Sequence, residues 1–384
     1  MKKIAVITGT RAEYGLLKNI MREIDKDSEL ILQLIVTGMH LSTTYGLTVK
    51  DIIDDGFNID ERCPILLDYR GKEKNALEMS LAISEFTTAF KKLSPDIVLI
   101  LGDRYEIFAA ATTAMVLGIP IAHIAGGEIT EGAMDEQIRH AITKMAHIHF
   151  PGAEQYEKNI KNMGEESWRV FNVGDSGIEN IKLTKLLDES ELKKQLGFEV
   201  NEKTLLVTYH PVTLELDQVS YQIANLIEAL RNYNDDILIT YPNSDNGGDI
   251  IIEEWKKFAK EKDNVHLFES LGSLRYLSVM KKCGCIVGNS SSALIEAPYL
   301  KKPVVNIGNR QQGRLMADNI INVDNKANNI REGIKKALSD EFIEATKKVK
   351  SLYGEGDTSK EIVEVLKKIE INEKLLKKKL VWSD

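Results

Sequence analysis

Short apolar runs alternate with longer amphipathic stretches along the whole chain. The runs are mostly apolar throughout rather than at every second position, a pattern typical of strands buried on both faces of a parallel sheet. The amphipathic stretches have helical spacing, so helices are expected to cover the sheet. The predicted strands are residues 3–8, 30–37, 97–101, 119–122, 147–150 and 169–173 in the first half, and 205–209, 237–241, 265–268, 285–287, 304–307 and 320–323 in the second.

The strand pattern restarts after about Gly174, which predicts an α/β fold class with two doubly wound, Rossmann-like domains. We expect these domains to span residues 1–175 and 176–358. Between them, residues 183–203 are charged with scattered leucines and predict a helix and a connection. Residues 359–384 contain an amphipathic helix that is expected to pack back on one of the domains.

The composition narrows the class of protein. A chain of 384 residues suits two domains, because a single core rarely grows beyond about 250 to 300 residues. Lysine and arginine number 50 and aspartate and glutamate 58, so the net charge is −8 and no general basic field is available for nucleic acid or a membrane surface. Three cysteines are too few for a disulfide framework and favour a reducing compartment, so the cytoplasm is the expected location. Cys283 and Cys285 lack a second ligand pair at zinc spacing, and we expect neither a metal nor a cofactor.

In open parallel sheets, ligands bind at the carboxyl ends of the strands, so the loops that follow the strands carry the most weight. The loop at residues 8–15 brings Arg11 to the start of a helix, where free amides and a guanidinium can bind phosphate or carboxylate. A solvated turn is the alternative. The loop is neither G-x-G-x-x-G nor G-x-x-x-x-G-K-[ST], so neither a dinucleotide oxidoreductase nor a P-loop NTPase is supported. His40 follows the second strand, where it either contacts substrate or has a structural role.

The third predicted strand ends in Gly102-Asp103-Arg104, where apolar residues give way to charge. Burying a carboxylate beside the sheet is unfavourable unless it is paired, and Arg104 is the expected partner. Asp103 is therefore either a catalytic acid or base or one half of a structural ion pair, and we favour the first interpretation.

A second group of charged residues follows the fourth predicted strand. Glu128, Glu131, Asp135 and Arg139 lie within one glycine-containing segment, although the last two are four residues apart and alternatively form a helix ion pair. If the strand assignments hold, Asp103, Glu128 and Asp135 emerge at one edge of the sheet. Closely placed carboxylates shift one another's pKa values apart, which gives one acid and one base.

Polar residues also follow the strands of the second half. A serine-rich turn at residues 288–292 opens a helix, and its serines either cap that helix or hold a diphosphate with their amides and hydroxyls. Glu296, one turn into the helix, would then accept hydrogen bonds from ribose hydroxyls. These residues predict a nucleoside-diphosphate site. The candidate ligands in this half are His210, Asn243, Ser290, Ser291, Glu296 and Arg314.

The motifs in these loops resemble those of the UDP-N-acetylglucosamine 2-epimerase family, and the similarity runs from Lys3 to about Val323. It is carried by residues 8–15, 102–104, 126–128, 135–144, 210–211, 288–296 and 310–314. Residues 36–46 and 138–144 resemble the hydrolysing branch, which serves the synthesis of sialic-acid-type and legionaminic-acid-type sugars. Ala12 stands where the non-hydrolysing branch has proline.

The resemblance implies a two-domain fold of the glycosyltransferase-B type, with the nucleotide held mainly by the C-terminal domain and the sugar in the cleft, and a homodimer or homotetramer. It also implies hydrolysis of a nucleotide-sugar partner, UDP-N-acetylglucosamine, to N-acetylmannosamine and UDP. A base removes the C2 proton while the nucleoside diphosphate leaves C1, and water adds to the resulting 2-acetamidoglucal. Asp103, Glu128 and Asp135 are the catalytic candidates. The expected substrate-binding residues are Arg11, His40, Arg104, Glu131, Arg139, His210, Asn243, Ser290, Ser291, Glu296 and Arg314.

One residue departs from the family pattern. Several members have His-x-Glu-Gly-Gly where this chain has Ala125 in place of the glutamate. Either Glu128 or Glu131 replaces that carboxylate, or the small side chain makes room for a 4-acetamido sugar, as in diacetamido-bacillosamine carried by UDP or GDP. A glycosyltransferase and a catalytically silent nucleotide-sugar sensor are the competing functions. The acids around Asp103 and Asp135 argue against both.

Overall fold

The computed structural model describes residues 1–69, 71, 73–130, 134–242 and 247–382. The chain forms two compact units. Unit 1 comprises Met1–Asn180 and the chain from Tyr353 onward, and unit 2 comprises Ile181–Leu352. Each unit is built around a six-stranded parallel sheet.

The sheet of unit 1 reverses its strand order near its centre. Its strands are β1 (Lys2–Thr8), β2 (Leu30–Thr37), β3 (Glu61–Cys63), β4 (Ile97–Leu101), β5 (Ile121–Ile124) and β6 (Ile148–Phe150). They pair in parallel in the order β3-β2-β1-β4-β5-β6. Because the order reverses between β1 and β4, the helices that follow these two strands lie on opposite faces of the sheet, and ligands bind at the carboxyl ends of the strands at such a point.

Helices cover both faces of this sheet. The N-terminal helices of unit 1 are α1 (Arg11–Lys26), α2 (Val49–Asp54), α3 (Lys74–Leu93), α4 (Tyr105–Val116), α5 (Met134–Met145) and α6 (Glu154–Asn162), and α7 (Ser176–Leu183) continues into unit 2. One apolar core lies under α1 and includes Leu17 and Ile20, and another on the opposite face includes Phe86 and Ile107. All residues of β4 are buried because both faces are covered, which explains why its sequence is apolar throughout.

Unit 2 repeats the same topology. Its strands are β7 (Leu205–Thr208), β8 (Ile237–Thr240), β9 (Val265–Phe268), β10 (Cys285–Gly288), β11 (Val304–Ile307) and β12 (Ile320–Val323). The order is β12-β11-β10-β7-β8-β9, so the reversal falls between β7 and β10. Its helices are α8 (Glu189–Leu196), α9 (Val219–Leu230), α10 (Gly248–Glu261), α11 (Gly272–Lys282), α12 (Ser292–Tyr299), α13 (Ala327–Ala337) and α14 (Asp340–Lys347).

After unit 2 the chain returns to unit 1 with α15 (Thr358–Lys368) and α16 (Glu373–Leu376). Helix α15 packs beside α1, and its Ile362 and Leu366 side chains are buried in the unit 1 core. Lys2 Nζ donates to the carbonyl oxygens of Leu366 at 3.0 Å and Ile369 at 2.5 Å. In the described part of the chain, no helix has both the length and the apolarity needed to cross a membrane.

The predicted fold class, two Rossmann-like domains, is confirmed. The predicted strands agree with the structure within two residues at each end, except at residues 169–173. There the prediction is wrong, because Ser167–Arg169 is a short 3-10 helix and Val170 forms only an isolated bridge to His149. Instead, the guanidinium of Arg169 is buried and donates to the carbonyl oxygens of Lys374 and Leu375. The hydrophobic pattern also fails to predict β3, which is short and begins with two charged residues.

Candidate active site

The carboxyl edge of the unit 1 sheet brings Asp103 and Arg139 together. Asp103 follows β4, and the Arg139 guanidinium on α5 donates to its carboxylate. The same guanidinium donates to the carbonyl oxygen of Glu128 at 2.9 Å and to the Thr130 hydroxyl at 3.2 Å. Arg139 is only 4% exposed. It therefore ties the loop after β4 to the loop after β5.

The expectation that Arg104 pairs with Asp103 is wrong, since Arg139 takes that place. Arg104 instead has its Nε 2.6 Å from Glu106 Oε1 and 3.8 Å from Glu13 Oε1. Both of these glutamates are buried, and a buried carboxylate requires a cation or a proton. Arg104 supplies one cation, which lies closer to Glu106 than to Glu13.

Glu13 closes a capping box at the start of α1. Its Oε2 accepts from the amides of Gly9 at 2.9 Å and Thr10 at 3.1 Å, while the Thr10 hydroxyl accepts from the Glu13 amide at 3.3 Å. Burial, followed by the charge of Glu106, raises the pKa of Glu13 to about 7. We did not identify this residue from the sequence, although Thr-x-x-Glu before a helical pattern signals such a cap.

Asp135 lies in the first turn of α5 and lines a cavity of about 410 Å³. Burial raises its pKa and the charge of Asp103 raises it further, while Arg139 and Arg104 oppose the shift. Arg104 and Met39 line the same cavity. The charge of Asp103 thus acts on Asp135, although the two aspartates lie on different elements.

The loop after β5 carries the remaining acidic candidates of unit 1. Glu128 is half-buried, and its carbonyl oxygen accepts a hydrogen bond from Arg139. Glu131 lies outside the described residues. Ala125 opens the loop with a φ of +63°, in the left-handed region that alanine seldom adopts. Its methyl group is therefore presented by a strained turn at the end of β5.

Two buried histidines hold the loops of this edge. His40 has Nε2 3.0 Å from the Thr8 hydroxyl and Nδ1 2.7 Å from the Thr48 hydroxyl, and burial lowers its pKa to about 4. His123, on β5, has Nε2 2.8 Å from the carbonyl oxygen of Gly102, and burial lowers its pKa to about 3. Both rings are neutral at pH 7, and His123 donates through Nε2 because a carbonyl oxygen only accepts. His123 is not among the candidates predicted from the sequence, because the sequence does not show whether a histidine at the end of a strand is buried or exposed.

Arg11 is the first residue of α1 and is exposed. Its Nε lies 3.6 Å from Asp51 Oδ2. The guanidinium remains accessible to an anion, because it is exposed and an ion pair of this kind is weak.

A second cavity, of about 450 Å³, lies at the carboxyl edge of the unit 2 sheet. It is lined by His210 after β7 and by Ser290 and Glu296 around the start of α12. Gly288, the last residue of β10, is required there, because a Cβ atom would overlap the carbonyl oxygen of Thr208 on β7. The close approach of these two strands brings the loops that follow them together.

Asn289 joins those loops by hydrogen bonds. Its side chain accepts from the His210 amide at 2.7 Å and donates to the His210 carbonyl oxygen at 2.8 Å. Its own carbonyl oxygen accepts from Gln311 Nε2 at 2.7 Å and Arg310 Nη1 at 3.1 Å. Asn289 is only 1% exposed. Asn289 thus fixes the positions of the two loops, although it is not among the ligands predicted from the sequence. Its position in the Gly-Asn-Ser-Ser motif is the feature of the sequence that could have identified it.

The start of α12 presents hydroxyl groups to this cavity. The Ser291 hydroxyl makes no capping hydrogen bond with the helix. Ser292 Oγ donates to Glu296 Oε2 at 2.5 Å, which fixes the glutamate one turn into the helix. Arg314 is half-buried in the loop after β11, where its amide donates to the carbonyl oxygen of Gln311 at 3.2 Å. Asn243 lies outside the described residues.

Both units are Rossmann-like domains with the same strand order, and both gather polar side chains at the carboxyl edges of their sheets. This architecture defines a protein with a fold of the glycosyltransferase-B type. The crystal structure of UDP-GlcNAc 2-epimerase from Neisseria meningitidis bound to UDP-GlcNAc shares the fold, with a TM-score of 0.79 at 22% sequence identity over 95% of this chain and 99% of that one.

The sequence pattern of the UDP-N-acetylglucosamine 2-epimerase family matches residues 22–367, and the chain belongs to this family. It is 42% identical over 343 residues to the GDP/UDP-N,N'-diacetylbacillosamine 2-epimerase (hydrolyzing) of Campylobacter jejuni, which covers 89% of this chain and 88% of that protein. It is 35% identical over 378 residues to the UDP-N,N'-diacetylbacillosamine 2-epimerase (hydrolyzing) of Legionella pneumophila, covering 98% and 99%. The resemblance to the hydrolysing branch is thereby confirmed.

Proposed function

We propose that the chain is a hydrolysing nucleotide-sugar 2-epimerase whose substrate is nucleotide-linked N,N'-diacetylbacillosamine. The names of the two relatives from Campylobacter jejuni and Legionella pneumophila support this sugar. UDP-N-acetylglucosamine, placed first by the sequence analysis, becomes the second candidate and is supported by the name of the family. The reaction class is supported mainly by one observation at the carboxyl edge of the unit 1 sheet: the charge of Asp103 helps to raise the pKa of Asp135.

The reaction requires one group that takes a proton and one that gives a proton. In the first step a base removes the C2 proton, the bond between C1 and the diphosphate oxygen breaks, and a C1–C2 double bond forms. In the second step water adds its hydroxyl to C1 while C2 receives a proton on the opposite face. Asp103, bound by Arg139, and Asp135, with its raised pKa, have the different environments that suit opposite roles.

Unit 2 would hold the leaving group. The amides and hydroxyls of Ser290 and Ser291 bind the diphosphate at the start of α12, where the helix dipole favours negative charge. Glu296 accepts hydrogen bonds from the ribose hydroxyls, and His210 and Arg314 add donors for the phosphates. The cavity of about 450 Å³ that His210, Ser290 and Glu296 line supports this assignment.

Ala125 supports the choice of sugar. It occupies the turn after β5, within the loop that Arg139 ties to Asp103. Compared with alanine, a glutamate at this position would add a methylene group and a carboxylate to the same loop. The methyl group leaves that volume open, and we infer that a 4-acetamido group uses it in place of a 4-hydroxyl.

The proposal is tested by incubating the enzyme in D₂O, without any acceptor, with the UDP- and GDP-linked forms of N-acetylglucosamine and N,N'-diacetylbacillosamine. We expect release of the free, C2-inverted diacetamido sugar with deuterium at C2, at a higher kcat/KM than for N-acetylglucosamine. Ala125→Glu should shift the preference towards the 4-hydroxy sugar. Equal rates on both sugars would remove the support for the substrate, and turnover only after an acceptor is added would indicate a glycosyltransferase.

A further inference from the structure

The C-terminal segment, residues 371–382, holds the last turn of α5, the helix that carries two charged groups of the proposed catalytic site. Lys378 Nζ donates to the carbonyl oxygens of Lys144 at 2.8 Å and Thr143 at 3.5 Å. Carbonyl oxygens in the last turn of a helix have no partner within that helix, and a cation there complements the helix dipole. Lys378 therefore caps α5 from a distant part of the sequence.

A buried carboxylate holds the same lysine. Glu165 Oε2 lies 2.8 Å from Lys378 Nζ and 3.1 Å from His149 Nε2, and its Oε1 lies 2.5 Å from Lys144 Nζ. Burial alone would raise the pKa of Glu165, but the hydrogen bonds from these three groups outweigh burial and lower the pKa to about 2. Glu165 is therefore ionised at neutral pH and binds a lysine from α5 and a lysine from the C-terminal segment at the same point.

Arg169 fixes the backbone of the segment. Its side chain is fully buried and donates to the carbonyl oxygens of Leu375 at 2.8 Å, Lys374 at 2.9 Å and Lys377 at 3.3 Å. Because the main chain on the N-terminal side of Lys378 is held in this way, the lysine reaches α5 from a defined position.

A continuous path leads from Lys378 to the catalytic aspartate. The Thr143 hydroxyl donates to the carbonyl oxygen of Arg139 at 3.0 Å, and Arg139 donates to Asp103. Thr143 also lies beside the loop after β5, where a Cβ atom added to Gly126 would lie 3.2 Å from the Thr143 Oγ1. A shift of the last turn of α5 would move Arg139 relative to Asp103, and a displacement of about 1 Å at a catalytic site can lower the rate by ~100-fold.

We infer that Lys378 is a positioning residue for the reaction, because it fixes α5 and thereby sets Arg139 and Asp135 against Asp103. Among the residues that the structure describes, Lys378 contacts none of the proposed substrate-binding groups, so we expect it to act through the helix. The inference rests on the proposed function for its kinetic consequence, whereas its effect on the order of α5 is independent of that function.

The test replaces Lys378 in the full chain and compares it with its neighbour. Lys378→Met removes the ammonium group and keeps the apolar stem, and we expect kcat to fall about 10-fold while KM changes less than about 2-fold. Amide hydrogen exchange should become faster in α5 and stay unchanged in α3. Lys378→Arg should restore at least half of the activity. The matched control is Lys379→Met, at an exposed position whose side chain has no such contact, and it should change neither quantity.

Two further measurements keep the outcomes separate. If Lys378→Met fails to fold, Lys378→Gln retains a donor for the helix carbonyl oxygens and should give an intermediate kcat. A lower Tm for Lys378→Met, with kcat and α5 exchange unchanged well below that Tm, would overturn the inference. If the wild-type enzyme turns over no nucleotide sugar, the proposed function fails, and the exchange of α5 still decides whether Lys378 orders the helix.

Discussion

Glu13 and Glu106 are two buried carboxyl groups that share a single guanidinium. Arg104 Nε lies 2.6 Å from Glu106 Oε1 and 3.8 Å from Glu13 Oε1. Within the described part of the chain, Glu13 Oε1 and Glu106 Oε2 accept no hydrogen bond. One cation does not neutralise two buried carboxylates, so the pair favours the binding of a proton.

The stability of unit 1 should therefore depend on the protonation of Glu13. Burial and the charge of Glu106 raise its pKa from 4.5 to about 7, so the folded state binds more protons than the unfolded state between these values. The contribution of Glu13 to the free energy of unfolding should fall as the pH rises through this window, by at most ~1.4 kcal/mol per pH unit, and this loss is complete above about pH 7. The buried histidines His40 and His123, whose pKa values are lowered, have the opposite effect below about pH 6.5, so a variant is needed to isolate Glu13. Glu13→Gln should lack this contribution, so its difference in unfolding free energy from wild type, measured by denaturant unfolding, should change between pH 5 and 7 and stay constant from there to pH 8.

The exposed Asp25 on the same helix provides the control for this pH effect. Asp25→Asn should leave the pH dependence of the wild-type protein intact. A difference in stability between wild type and Glu13→Gln that stays constant across the pH range would show that Glu13 does not titrate there.

Substitution of either catalytic candidate should separate chemistry from binding. Asp103→Asn and Asp135→Asn should each lower kcat by at least ~100-fold, because each removes a group that is proposed to transfer a proton. Nucleotide affinity, measured by calorimetry with UDP and GDP, should stay within about 2-fold of wild type, since the proposed nucleotide site lies in unit 2. Asp54→Asn, at an exposed position on α2, is the matched control. Near-normal turnover by Asp103→Asn would show that the acid and base lie elsewhere.

The opposite pattern is expected for the unit 2 cavity. Ser290→Ala and Glu296→Gln should each raise the Kd for the nucleotide by about 10-fold, because a hydrogen bond to a charged or ribose group contributes on the order of 1.5 kcal/mol. The effect should appear equally with free UDP or GDP, in the absence of any sugar. Ser84→Ala, at an exposed position on α3, should leave Kd unchanged. Unaltered binding in both cavity variants would place the nucleotide elsewhere.

Two glycines should respond to alanine with opposite signs. Gly288→Ala places a Cβ atom on the carbonyl oxygen of Thr208, part of the neighbouring strand backbone, and should destabilise unit 2 by about 3 kcal/mol or more. Gly15→Ala lies within α1, where the new Cβ meets no atom within 4 Å apart from its chain neighbours and the nearby helix backbone, and should stabilise the protein by up to ~1 kcal/mol. Thermal unfolding of the two variants checks both signs, and a stabilising Gly288→Ala would contradict the packing of β10 against β7.

The sequence predicts the strands well because burial on both faces leaves a continuous apolar signature, as in β4. It also places Asp103 correctly at the end of that strand. It does not predict Arg139 as the partner of Asp103, since the two are 36 residues apart while Arg104 is adjacent. Neighbouring residues at the start of a helix point in different directions, so adjacency in the chain is a poor guide to pairing.

The burial of Glu13, His123 and Asn289 is equally hidden from the sequence. Each is a polar residue in or beside a loop, where exposure is the usual expectation. Their burial follows from the way several loops pack at one edge of a sheet, which depends on contacts between residues far apart in the chain. The family resemblance covers the reaction and the fold, whereas these residues emerge only from the packed structure.

The return of the chain to unit 1 has a consequence for folding during synthesis. Lys2 donates to the carbonyl oxygen of Leu366, a residue 364 positions later, and α15 supplies part of the core beneath α1. Since a ribosome releases the N-terminus first, the part of the unit 1 core that α15 covers stays exposed until all of unit 2 has been synthesised. Unit 2 is continuous in sequence and can complete its own core earlier. The unit whose synthesis begins first is thus the last to become fully folded.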